Sequence, residues 1–441
     1  MASAGWRIMS HDTPASGTKP LILCALLAVL AIFSALFLVK DTDLRVYWYA
    51  MREYYSGIRP AYGPMSGVGY PMNYRYPPVT YLMLYPLRFT TVRVAGIFWT
   101  VGEWLATVLT VRLAMRRLPF HLSRTAAILC CASLLSYVVL AIRYANIQPF
   151  VICALFAGLI LAEARPVWSG LLLSLAITFK IWPILFLPWL FPRGRRRAAA
   201  YTGLWLAALW TAPVFVFGVQ GYWAMLGQWR DAMTQIATTY SEIYYVLGQS
   251  LFEVVLRYCD FLTGAFRDVA WIRSISPATA AHGAEVFAAA VYIGVTWRML
   301  RSDRRQLWAW DGAAFVLYSL VEPHAVKSGL ISLAPAVLTA GYLYARGRRE
   351  LCGASLKPEE RRSASIAGVL FLCACMLFFL GTVIQYRPWQ RFLLAAGLDC
   401  WAEMLLLAAF TIWITRTPIA HDAANAGGDR GRLDSYPEDG R

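Results

Sequence analysis

The chain has 441 residues, 59% of them hydrophobic and only 15% charged, with 41 Lys plus Arg against 25 Asp plus Glu for a net charge of +16. So little charge excludes a soluble globular surface. The mean hydropathy of +0.50 and apolar runs long enough to cross about 30 Å of hydrocarbon define an all-α polytopic membrane protein. The basic excess reads as cytoplasmic loop charge, and no nucleic-acid partner is expected.

Residues 1–19 read as a cytoplasmic tail. Leu21–Val39 reads as a retained first helix, too long for a signal-peptide core and without an A-x-A cleavage site. Arginine clusters at Arg112/Arg116/Arg117, Arg193/Arg195/Arg196/Arg197, Arg298/Arg301/Arg304/Arg305 and Arg346/Arg348/Arg349 each follow an apolar span and mark its cytoplasmic end. The predicted crossings are 20–39, 93–114, 125–142, 147–163, 199–219, 281–300, 308–322, 329–345, 365–385 and 392–415. They make one transmembrane domain over 20–415 and leave a polar, disordered cytoplasmic tail at 416–441. Two long external loops, 40–92 and 220–280, and a short one at 322–328 remain.

In the first loop Leu44, Tyr47, Trp48, Met51, Tyr54 and Tyr55 share one helical face, which predicts an external juxtamembrane helix lying in the interface. The short apolar stretch Tyr76–Leu87, opened by Pro77-Pro78, predicts a re-entrant or juxtamembrane helix. Arg165 and Arg193 are both cytoplasmic by charge, so the 27 residues between them predict a broken pair of half-helices turning near Lys180 and Trp182-Pro183. A Lys at that depth costs roughly 2.5–3.5 kcal/mol unless it faces a polar cavity or a partner. Glu103, Glu285, Asp311 and Glu403 fall inside predicted helices and are expected to face the bundle interior. Seven of the nine cysteines lie in apolar spans as small hydrophobes and imply no disulfide framework.

Four polar constellations fall on the external side. Asp41-Thr42-Asp43 follows the first helix, where a carboxylate can act as a general base on a hydroxyl. Two carboxylates alone hold a divalent metal poorly, and no metal is expected. Tyr74-Arg75-Tyr76-Pro77-Pro78 places a guanidinium between interfacial aromatics, a setting that suits a phosphate headgroup or an aromatic belt. Asn146 and Gln148 occupy a tight turn, either as sugar-hydroxyl ligands or as helix caps. His324 and Lys327 occupy another turn, where they can meet an anionic phosphate.

The order Asp43-Leu44-x-Val46-Tyr47, Gly57-Ile58-x-Pro60-x-Tyr62 and Tyr74-x-Tyr76-Pro77-Pro78 resembles the opening of glycosyltransferase family 87, the bacterial α-mannosyltransferase-like enzymes that use polyprenyl-phosphate sugars. Asn146-Ile147-Gln148, Gly170…Phe179-Lys180-x-x-Pro183, Gly248-Gln249-Ser250-Leu251 and the His324 turn continue the resemblance, over roughly residues 20–350. It implies the GT-C type bundle, with ten to twelve membrane helices, and Asp43 as catalytic base; Asp41 is not part of the usual pattern. Gly248 stands where the family has Asn, and Glu322-Pro323-His324 lacks a Trp of the family turn.

The implied activity is transfer of a hexose, mannose-like, from a polyprenyl-phosphate donor to a glycolipid or glycan acceptor, on the periplasmic side of a plasma (inner) membrane and without a cofactor. Arg75, Lys180, His324 and Lys327 would meet the donor phosphate. Asp41, Tyr47, Tyr76, Asn146, Gln148 and Gln249 would contact the substrates. A lipid-linked sugar flippase or transporter, and an oligosaccharide polymerase or ligase, are the rival readings.

Overall fold

A computed structural model describes residues 42–62, 74–118, 122–191, 195–239, 248–265, 277–302, 306–322, 327–352, 356–383 and 387–416. The expected first helix, Asp41, His324 and both tails lie outside these residues. The described residues are helical and contain no strand. Helices α3 (Val92–Arg117), α4 (Arg124–Tyr144), α7 (Arg196–Thr239), α12 (Pro358–Val383) and α14 (Leu398–Arg416) are long and apolar enough to cross a membrane. Helices α5 (Gln148–Leu161), α6 (Pro166–Phe179) and α10 (Leu307–Val321) are apolar but shorter. The chain is an all-α polytopic membrane protein.

It divides into two compact units. One comprises Met1–Val108, Ala141–Ile181 and Gly194–Thr234; the other comprises Leu109–Leu140, Trp182–Arg193 and Gln235–Arg441.

The first unit begins with α1 (Thr42–Tyr55), the helix expected from the aromatic spacing. Tyr47, Trp48 and Met51 on its predicted face are buried in protein, along with Leu44. Two contacts tie α1 to the start of α3 and the residues before it. The Tyr47 and Trp99 rings are 5.1 Å apart, and the Trp48 indole N–H donates to the Thr90 carbonyl at 2.9 Å. Gly57 ends α1 at φ 69°. Its N–H bonds to the Tyr54 carbonyl and that of Ile58 to the Glu53 carbonyl, each at 3.0 Å, so the last carbonyls of the helix are satisfied by a left-handed residue.

The stretch after Pro78 forms the short α2 (Val79–Met83) and a 3₁₀ turn at Tyr85–Phe89. Tyr74, Tyr76 and Tyr81 pack edge-on or tilted against one another and against Tyr47, Tyr54 and Tyr62 of the same loop.

Helices α5 and α6 form a hairpin of 14 residues each, about 21 Å per arm. Ser169 Oγ donates to the Gly158 carbonyl at 2.7 Å across it. Gly170 brings α6 against α7 so closely that a Cβ there would lie 2.6 Å from the Tyr201 carbonyl carbon. Small residues allow such backbone approaches between membrane helices. Helix α6 stops at Phe179 because Pro183 has no N–H for that residue's carbonyl and its ring would collide with it. Lys180 is extended, at φ −137° and ψ 125°. The expected break is there, and the second half, Trp182–Trp189, is a 3₁₀ helix. Helix α7 continues through the predicted external stretch after residue 219, broken only at Gly218 (φ 71°, ψ 165°).

The second unit is built around α10, buried along nearly its whole length, with α11 (Ala334–Cys352), α12 and α14. Its buried polar groups meet inside it. Tyr137 Oη donates to Asp399 Oδ1 at 2.7 Å, and Ser319 Oγ to Glu403 Oε1 at 3.2 Å. Ser250 and Glu253 cap α8 (Leu251–Ala265) reciprocally, through Ser250 N–H to Glu253 Oε2 at 3.2 Å and Glu253 N–H to Ser250 Oγ at 3.3 Å. The folded-back Glu253 carboxylate occupies the place a Cβ on residue 248 would take, which accounts for glycine there. The predicted crossing 392–415 is two helices, α13 (Arg387–Ala395) and α14, separated by Gly397 at φ 67°.

Glu103, Asp311 and Glu403 are buried, as expected. Glu285 is not. On α9 (Pro277–Leu300) its side chain is 62% exposed and meets His282 at 3.2 Å, because it lies on the helix face turned away from the unit's interior.

Candidate active site

Asp43, in the first turn of α1, is the centre of the polar groups in the first unit. Asp43 is half-buried, and protein surrounds its carboxyl closely enough that desolvation pushes its pKa up to about 6; the charges of Arg75 and Lys180 oppose that rise. The three residues come from different parts of the chain. Asp43 is placed by α1, Arg75 by the tyrosine-rich loop, and Lys180 by the break after α6. Arg75 is held at its backbone, where its carbonyl accepts the Trp229 indole N–H at 2.9 Å.

Asn146 links Asp43 to the turn between α4 and α5. Its Nδ2 donates to Asp43 Oδ2 at 3.2 Å, and its Oδ1 accepts the Gln148 backbone N–H at 2.9 Å. The turn is left-handed at Ala145 (φ 50°), the one non-glycine residue with positive φ among those described. The Ala145 N–H bonds to the Ile142 carbonyl at 3.1 Å and the Asn146 N–H to the Ala141 carbonyl at 3.0 Å, the double bond of a helix end normally closed by glycine. A non-glycine residue in that region costs about 1–2 kcal/mol, held here by full burial of Ala145. The result is an Asn146 amide aimed at Asp43.

The tyrosines form a wall beside the carboxylate. Tyr47 and Tyr76 share a hydrogen bond at 2.8 Å, and Tyr62 Oη donates to the Tyr76 carbonyl at 2.6 Å. Tyr74 and Thr80 hydroxyls are 2.7 Å apart, and Tyr81 donates to the Ala61 carbonyl. Burial pushes the Tyr47 phenol well above its usual range, so it stays protonated and acts only as a neutral hydrogen-bonding group.

Of the residues singled out in the sequence, the first unit therefore brings together Asp43, Arg75, Lys180, Tyr47, Tyr76 and Asn146. Gln148 is fully buried at the start of α5. Gln249 belongs to the second unit. It is fully buried there, and its Nε2 donates to the Gly248 and Leu394 carbonyls, each at 3.0 Å. Lys327 opens a 3₁₀ segment in the same unit. Sequence reasoning left out Glu103 as a neighbour of Asp43; only its carboxyl within an apolar run signalled it.

Helices of membrane-crossing length define an integral membrane protein, and its first unit holds a desolvated acid within reach of the charges of two cations. The chain belongs to glycosyltransferase family 87: the family's sequence model matches residues 74–323, more than half of the chain. It is a membrane glycosyltransferase. The matched range takes in Arg75, Asn146 and Lys180 and begins after Asp43. No curated protein and no solved structure matched the chain.

Proposed function

We propose that the protein transfers a hexose, mannose-like, from a polyprenyl-phosphate donor to a hydroxyl of a glycolipid or glycan acceptor at the external face of the plasma (inner) membrane, with Asp43 as general base. The observation that supports this best is the setting of Asp43: a carboxyl that burial pushes up to about 6 against the opposing charges of Arg75 and Lys180. A base with a pKa near the working pH combines a useful ionised fraction with real proton affinity.

In the reaction the acceptor oxygen attacks the anomeric carbon in line with the sugar–phosphate bond. The new C–O bond forms as the bond to the phosphate oxygen breaks, with inversion at the carbon. The acceptor's proton passes to Asp43, and the bonding electrons leave on polyprenyl phosphate, whose charge Arg75 and Lys180 stabilise. Asn146 holds the carboxylate in place through its 3.2 Å hydrogen bond. The prenyl chain stays in lipid, and no nucleotide has to cross the membrane.

The test is turnover of a radiolabelled polyprenyl-phosphate mannose by the purified protein in detergent micelles. Release of polyprenyl phosphate with label on an acceptor supports transfer. Binding without turnover points to a lipid-linked sugar transporter, which has no compartments to move substrate between in a micelle.

A further inference from the structure

Glu103 lies about 16 Å along α3 from its start. Its side chain is fully buried, and neither carboxyl oxygen has a hydrogen-bond partner. Three groups are near it. The Trp99 indole N–H lies toward it outside hydrogen-bonding geometry and is itself without a partner. The Asn146 backbone N–H is already given to the Ala141 carbonyl at 3.0 Å. Asp43 is close enough for the two carboxyl groups to act on each other. Two residues on from Asn146, the Gln148 carboxamide is also fully buried, with no partner for either its oxygen or its nitrogen.

Each such polar atom costs about 1–3 kcal/mol when left unmatched inside a protein, and a carboxyl group more. Three residues with this deficit near the half-buried Asp43 form a set that a ligand completes. The complement must exchange hydrogen bonds with a carboxyl group, accept the indole N–H, and exchange a donor and an acceptor with a carboxamide. It must also fit against aromatic surface, since Trp99 stacks toward Tyr47 at 5.1 Å and Phe150 at 5.3 Å. A phosphate fails this test, because it offers neither a row of hydroxyl donors nor an apolar ring face to set against Trp99 and Tyr47. A pyranose ring with adjacent hydroxyl groups meets it.

We infer that Glu103, supported by Gln148, binds the hydroxyl groups of a sugar ring held next to Asp43 and so sets the affinity of the site for the saccharide part of its substrate. The inference rests on the function proposed above and adds to it a residue that recognises the sugar apart from its phosphate.

The experiment measures binding to the full-length protein in lipid nanodiscs by intrinsic tryptophan fluorescence. The probes are polyprenyl-phosphate mannose, sugar-free polyprenyl phosphate and a set of methyl hexopyranosides. The expected result is that Glu103→Ala weakens binding of polyprenyl-phosphate mannose roughly 10-fold, the scale of one lost buried hydrogen bond, while sugar-free polyprenyl phosphate binds as to wild type. Glu103→Gln, nearly isosteric and retaining one acceptor, loses less and unfolds at the wild-type temperature. If the loss falls instead on the methyl glycosides, the ring is the acceptor's and the inference stands. It is overturned if both variants bind every probe like wild type, if affinity for sugar-free polyprenyl phosphate falls in parallel, or if wild type shows no sugar-dependent binding to any probe. Wild-type binding by both variants together with intact turnover removes the role of Glu103 and leaves the transferase reading in place.

Discussion

The Asn146 carboxamide donates to Asp43 Oδ2 at 3.2 Å, and its orientation is dictated by the Gln148 backbone N–H, which at 2.9 Å requires the amide oxygen on that side. Asp43 thus meets an N–H donor fixed by the backbone of the next helix. Removing it with Asn146→Ala is expected to lower kcat roughly 10- to 100-fold with a smaller change in KM, since the amide positions the base. Asn146→Asp sets a second carboxylate against Asp43, and the acid limb of the pH–rate profile should move to higher pH. Steady-state kinetics across pH check both.

The pH dependence of wild type follows from the same group. A base with a pKa of about 6 must be ionised to accept a proton, so turnover should climb about tenfold per pH unit below that value and flatten above it. Arg75 and Lys180 both hold the pKa down against the desolvation that raises it. Arg75→Gln or Lys180→Gln should therefore shift the acid limb upward, in addition to lowering turnover. A limb that stays in place in both variants would separate these cations from Asp43.

Asp43 also carries a stability signature. Its folded-state pKa lies above the ordinary value of 3.8, so the folded protein holds this proton to higher pH than the unfolded chain. The stability it contributes is complete below about pH 4 and declines as pH rises through 6. At pH 7.5 the buried charge is a net cost, and Asp43→Asn should raise stability by on the order of 1–3 kcal/mol while activity falls. Thermal unfolding at pH 7.5 and pH 5 checks this, with a smaller gain expected at the lower pH.

Packing of the first unit is tested at Gly170. A methyl group there would meet the Tyr201 carbonyl carbon and Cβ at 2.6 Å and the Thr202 nitrogen at 2.8 Å. Backbone cannot step aside as a side-chain end can, so Gly170→Ala should destabilise by about 1–3 kcal/mol. Gly203, two turns into α7 with open space around its Cα, is the control. Gly203→Ala should be neutral or stabilise by up to about 1 kcal/mol.

Much of this was legible in the sequence because it rests on local rules. The aromatic face from Leu44 to Tyr55 follows helical spacing, and α1 has those bounds almost to the residue. The break at Lys180 follows from Pro183 and from arginines too close in sequence to bracket one crossing. Other features depend on contacts no local rule encodes. The left-handed Ala145 was invisible because alanine gives no sign of such a turn; burial and two hydrogen bonds impose it. The hydrogen bond from Gln249 to the Leu394 carbonyl joins residues 145 apart in sequence, which no local pattern announces. The Gly397 break inside the last predicted crossing was hidden by apolar residues on both sides; the reason for glycine is Val254, whose methyl carbon would lie 2.6 Å from a Cβ at that position. Glu103 was noted as a costly carboxyl within a span, but its neighbours come from α1 and the α4–α5 turn.

The central claim is that Asp43 takes the acceptor's proton, and the direct measurement is transfer from polyprenyl-phosphate mannose by wild type and Asp43→Asn at saturating donor. The amide keeps the shape of the carboxylate and its contact with the Asn146 region but has no basic oxygen. Turnover is predicted to fall about 10²- to 10⁴-fold while the variant binds donor and unfolds no earlier than wild type. Transfer by Asp43→Asn at the wild-type rate would contradict the account.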